Sequence, residues 1–176
     1  MRVFSKIPSY MACSMLYVAC STVVAAMALG LVFLAQYGFD LWPCRLCLYQ
    51  RVPYFGLLGL GGVAWSIFKG RSILMLRLLI ACWIISMGLA GYHGGVEAGF
   101  WSFGACTSPS LGAENLAALE AMIHHAKVIP CDRPAFVWMG LSMADMNLIV
   151  SGIMVVWGLW VLKVKRRQRM GSHPPS

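Results

Sequence analysis

The stretch MACSMLYVACSTVVAAMALGLVFLAQ, residues 11–36, runs from Met11 to Gln36 without a single charged side chain. As helix, at about 1.5 Å per residue, it reaches roughly 39 Å, enough to cross a hydrocarbon layer of about 30 Å with some tilt. Three further apolar runs follow, at about 46–68, 73–91 and 144–162. The third carries Arg77 near its start, and the fourth has Asp145 in its first turn. The expected fold is therefore all-α: an integral membrane four-helix bundle forming one domain over residues 1–176. Composition agrees, because 60% of residues are hydrophobic and 11% charged, against about 25% charged in soluble domains. No polar stretch is long enough for a second folded unit. A cleaved leader is the rival for the first run, since Arg2 and Lys6 precede it and Ala26-Met27-Ala28 fits a cleavage pattern. The apolar stretch continues to Leu34, too long for a leader core, so an uncleaved helix is expected.

A net charge of +8 raises nucleic acid as a partner, but the distribution of the charges argues for membrane orientation instead. Arg2, Lys6, Lys69, Arg71, Lys163, Lys165, Arg166, Arg167 and Arg169 fall on one side of the four runs, with no acid among them. All six acids, Asp40, Glu97, Glu114, Glu120, Asp132 and Asp145, fall on the other, with Arg45, Arg51, Lys127 and Arg133. Positive-inside placement puts both termini in the cytoplasm. Two segments then face outward, about 37–45 and about 92–143.

Of seven cysteines, Cys13, Cys20 and Cys82 lie within the apolar runs and read as small packing residues. Cys44, Cys47, Cys106 and Cys131 all fall on the outer side, where an oxidising space lets disulfides form and persist. Four cysteines allow three complete pairings, and spacing does not choose among them; the local choice is Cys44–Cys47 with Cys106–Cys131. Cys44-Arg45-Leu46-Cys47 stands at the mouth of the second helix, after Pro43, where the helix dipole favours a thiolate. Arg51, four residues past Cys47, shares its helical face and could steady a Cys47 thiolate or an acceptor docked beside it. The plainer alternative for Arg51 is an interfacial side chain reaching for water.

A C-x-x-C is also half of a zinc site, and four outer cysteines could make a Cys₄ centre. The second pair is 25 positions apart, and an oxidising space works against zinc thiolates, so no metal is expected. Cys44–Cys47 is followed by Leu48, not the histidine of c-type haem attachment, and no histidine lies mid-span to hold a haem between helices. In the long outer segment, Leu116, Leu119, Met122, Ile123 and Ala126 recur at helical spacing. A short amphipathic helix at about 113–126 is expected, either on the lipid surface or packed on the span ends. His93, just past the third run, could exchange protons near Cys47, and Glu97 could orient it if helix continues that far. An interfacial histidine satisfied by water is the competing reading.

Making a disulfide releases two electrons and two protons. No large soluble domain is present to hold a flavin, and Gly59–Ala64, which loosely resembles a dinucleotide fingerprint, lies inside an apolar run with no strand before it. A thiol pair at the bilayer surface points instead to an acceptor dissolved in the bilayer, and a quinone fits.

These residues carry a resemblance. The run from Pro43 through Cys44, Cys47, Gln50 and Arg51 to Pro53, then Tyr92 to Glu97, Cys106, Cys131, and Gly140 to Asn147 resemble the bacterial disulfide bond formation protein B (DsbB) family over nearly the whole chain. The resemblance implies a disulfide-generating oxidoreductase of the bacterial inner membrane, with its site on the periplasmic side. It implies that Cys106 takes the attack of a thioredoxin-fold periplasmic oxidase of the DsbA type, and that Cys131 then engages Cys44. Cys47 would be left as the thiolate facing ubiquinone or menaquinone, with Arg51 and His93 beside that acceptor. Two alternatives stand: a specialised paralogue or vitamin K epoxide reductase-like enzyme with different traffic, and a structural or zinc-binding membrane module.

Overall fold

The computed structural model describes residues 9–67, 72–102, 131, 134 and 136–171. Four helices carry the fold: α1 (Ser9–Gly38), α2 (Arg45–Ser66), α3 (Ile73–Glu97) and α4 (Met143–Gly171). A minimal hairpin, β1 (Val137–Trp138) and β2 (Leu141–Ser142), precedes α4. Its turn residues Met139 and Gly140 both have positive φ, the backbone that matches the twist of a two-residue hairpin. The expected all-α, four-helix fold is what forms. The amphipathic helix expected at 113–126 lies outside the described residues, as does Cys106.

Each helix end has a local cause. Ser142 and Asp145 cap α4 reciprocally, Ser142 N–H donating to Asp145 Oδ2 and Asp145 N–H to Ser142 Oγ, both at 3.1 Å. Helix α3 starts on Ser72, whose Oγ accepts from the Met75 N–H. It ends in a Schellman arrangement: Gly99, with φ +76°, donates to the Val96 carbonyl, and Phe100 donates to that of Gly95. That end lies six residues beyond the apolar run read from sequence, so His93 and Glu97 belong to the helix itself. Likewise α4 continues through the basic residues after Leu162, which need no apolar surroundings to stay helical.

By length and composition α1, α3 and α4 are able to cross a membrane. Helix α2 is not among them, because Arg45, Tyr49, Gln50, Arg51 and Pro53 crowd its first half. Polar side chains within a membrane protein's helices are costly unless they face protein or a cavity, so they mark where to look for a site.

The bundle interior is built from small and aromatic side chains. Tyr17, Leu57, Leu79 and Trp83 are fully buried, and Ser14, Ser21, Ser86 and Ser151 lie between helices. Small residues let helices approach where no hydrophobic force drives them together. Gly158 shows this closely: a Cβ there would sit 2.6 Å from Tyr17 Oη and 2.7 Å from Ile80. Large apolar side chains such as Leu31, Ile153 and Val156 point outward, as a lipid-facing surface requires.

Candidate functional site

At the mouth of α2 the C-x-x-C spacing is a capping spacing. Cys44 is the N-cap, in extended backbone, and its Sγ accepts from the Cys47 N–H at 3.3 Å. The sulfur thus takes the place that a serine oxygen usually occupies. Cys44 and Cys47 are free thiols with sulfurs 3.2 Å apart, sharing a hydrogen bond. The Cys44 thiol is held well below the ordinary thiol range, first by the hydrogen bond from Cys47. Burial opposes this, and hydrogen bonds from His93 and the Cys47 backbone N–H reinforce it. In this reduced pair the charge therefore rests on the N-cap sulfur, whereas the resemblance pointed to Cys47.

Cys131 is disulfide-bonded and 1% exposed, and it packs with Cys44, Leu46 and Val96 in a small core apart from the main one. One cysteine of the segment between α3 and α4 is thereby seated beside the α2 pair. A Cys₄ metal centre cannot form in this state, since one of its four sulfurs is already bonded. Cys44 Sγ, Cys47 Sγ and a ring nitrogen of His93 do lie within 4.8 Å of one another, a spacing that a soft ion could bridge.

His93 is 3% exposed. Its Nε2 lies 3.6 Å from Cys44 Sγ and 3.5 Å from Glu97 Oε1, and its Nδ1 lies 2.9 Å from Gln50 Nε2. It is thus no water-satisfied interfacial residue, and the sulfur it hydrogen-bonds is Cys44. Glu97 sits where continued helix puts it, one turn beyond. Arg51 is engaged toward α1: its Nη1 donates to Gln36 Oε1 at 2.8 Å, and its guanidinium lies 5.2 Å over the Phe33 ring. Cys13, Cys20 and Cys82 are partly buried thiols along the helices, as packing residues would be.

Behind the pair, a cavity of about 380 Å³ opens between α1, α2 and α4. Its walls are mostly apolar, among them Ala28, Val32 and Val150, and Cys47, Gln50, Arg51 and Asn147 supply its few polar groups. A volume of this order with few convergent polar groups is what a small ring-shaped ligand needs. The residues present fit a quinone ring: donors from Arg51 and the amides can meet ring oxygens, and the apolar walls can hold a tail.

Gln50 and Asn147 entered the sequence reading only as members of the runs that carry the resemblance, with no role attached, and Tyr54, Ser86 and Ser151 were not singled out. Asn147 Nδ2 donates to Gln50 Oε1 at 3.0 Å, and Asn147 Oδ1 lies 2.6 Å from Tyr54 Oη, 3.2 Å from Ser86 Oγ and 3.0 Å from Ser151 Oγ. The available signal was the presence of Gln50 and Asn147 in otherwise apolar helices.

The family model of the disulfide bond formation protein DsbB matches residues 14–161. The chain is also 28% identical, over 137 residues, to an uncharacterized protein of Rickettsia prowazekii (strain Madrid E); the match covers 76% of this chain and 79% of that one.

Proposed function

The chain belongs to the DsbB family of disulfide bond formation proteins, and from that premise we propose that it is a thiol:quinone oxidoreductase of the bacterial inner membrane, reoxidising a periplasmic thioredoxin-fold dithiol oxidase of the DsbA type. Membership makes it a multi-pass disulfide-generating oxidoreductase. The finer reading rests above all on the Cys44–Cys47 pair at the polar end of an apolar cavity.

In this reading a partner thiolate attacks Cys106 of a Cys106–Cys131 disulfide, and the released Cys131 thiolate then attacks Cys44 of an oxidised Cys44–Cys47 pair. Each exchange breaks one S–S bond and forms another, until the partner is oxidised and Cys44 and Cys47 hold its two electrons. Burial of Cys131 against Cys44 supports this order. A quinone bound in the cavity supplies the acceptor for those two electrons and two protons, and ubiquinone and menaquinone both answer to that chemistry. Arg51, steadied by Gln36, orients the ring, and His93 holds a proton at the Cys44 sulfur. The surplus of basic residues on one side supports cytoplasmic termini, with segments 37–45 and 92–143 in the periplasm as parts of one domain over residues 1–176.

The test uses purified full-length protein, reduced DsbA-type partner and added quinone. Cys47→Ser is expected to lower quinone reduction by about a thousandfold or more, the order seen when a nucleophile is removed. Turnover that survives in Cys47→Ser would sink the reading.

A further inference from the structure

Hydrogen-bond direction can be followed through the polar network from α4 to the thiols. The Tyr54 Oη to Asn147 Oδ1 separation of 2.6 Å belongs to the O–H···O range and is shorter than N–H···O bonds run. Ser86 Oγ and Ser151 Oγ lie 3.2 and 3.0 Å from the same atom and 3.1 Å from each other, so hydroxyl donors surround it. The Asn147 oxygen therefore faces the hydroxyls and its NH₂ faces Gln50 Oε1. With its oxygen accepting, Gln50 presents its own NH₂ to His93 Nδ1. That nitrogen must then be the bare one, and a neutral imidazole carries its single proton on Nε2.

We propose that Asn147 is a positioning residue which, through Gln50, fixes the His93 proton on Nε2, facing the Cys44 sulfur. This deepens the thiol:quinone reading and rests on it for its purpose: a proton held at the sulfur throughout the cycle, with the ring unable to turn its bare nitrogen toward the thiolate. Asn147 acts from one helix across two others, since the oxygen that anchors it is held by Tyr54 of α2, Ser86 of α3 and Ser151 of α4. Among the described residues, the titratable groups that face His93 are Cys44 and Cys47 from α2 and Glu97 from its own helix. Asp145 of α4 lies against Gly94 but is engaged in the α4 cap, and Cys131 beside Cys44 is disulfide-bonded and does not titrate.

The experiment is nitrogen NMR on full-length protein, ¹⁵N-labelled at histidine, with Cys44 and Cys47 reduced and the Cys131 disulfide intact, in nanodiscs and without added quinone. His93 is assigned by the signals lost in His93→Gln. The expected spectrum has a protonated Nε2 and a bare Nδ1. Asn147→Asp replaces the donor to Gln50 with an acceptor, so the Gln50 amide turns over and the proton moves to Nδ1. In that variant Cys44 alkylation at pH 6 should fall about tenfold for each pKa unit the thiol rises past that pH. Gln50→Glu, an acceptor toward both neighbours, should also place a proton on Nδ1. A wild-type spectrum with protonated Nδ1 overturns the proposal even if neither variant folds. So does Asn147→Asp with the Nε2 proton and alkylation rate unchanged. Failure of the partner to be oxidised would count against the thiol:quinone reading while leaving the position of this proton where the spectrum finds it.

Discussion

Cys44 occupies two roles at once, helix cap and redox thiol, and each explains the other. A thiolate is a better acceptor than a thiol for the Cys47 N–H, so capping and ionisation favour the same charge state. The linkage has a definite sign. A thiol depressed in the folded chain contributes stability that is fully present above its unfolded value of about 8.5 and lost as pH falls through the depressed folded value. Reduced wild-type protein should therefore gain stability over a Cys44→Ser variant as pH rises toward about 8.5, and lose that advantage on acidification. Alkylation of Cys44 should also stay fast at pH 6, where an ordinary thiol is more than two units below its pKa. A Cys44 alkylation rate that climbs tenfold per pH unit from 6 to 8 would show an unperturbed thiol and remove the basis for both expectations.

Among the elements, α2 departs furthest from an ideal membrane helix, and its departures are the site. Gln50 and Arg51 lower its apolar character, yet both find partners on other helices, Gln50 on α3 and α4 and Arg51 on α1. Helices α1 and α3 pack against this helix, and α4 packs against those two in turn. The approach of α1 and α3 at Gly158 of α4 leaves no room for a methyl group. Gly158→Ala is expected to cost about 1–3 kcal/mol, the usual range for overpacking, read as a lowered midpoint of unfolding in detergent. A neutral or stabilising result would mean that Tyr17 and Ile80 give way freely, so that this contact is not what sets the helix spacing.

For the molecule as a whole, the cavity and the thiol pair are separable functions that meet at Cys47. Ala35→Phe fills space on the α1 wall of the cavity without touching Cys44 or His93. It should raise the KM for quinone about tenfold, equivalent to roughly 1.4 kcal/mol, with Cys44 alkylation unchanged. If quinone kinetics were indifferent to this substitution, the acceptor would have to bind elsewhere. The four apolar runs and the C-x-x-C at a helix mouth were legible in the linear chain, because helix length and capping are local properties. Helix ends were less so: α3 and α4 outrun their apolar stretches, since a helix is ended by its caps and not by the edge of the membrane. Only the tertiary structure decided that His93 is buried against Cys44, that Arg51 turns toward Gln36, and that Asn147, 97 positions from Gln50, completes its hydrogen bonding. Those facts depend on which faces of four helices meet, and no periodicity within one helix records which neighbour its polar residues will find.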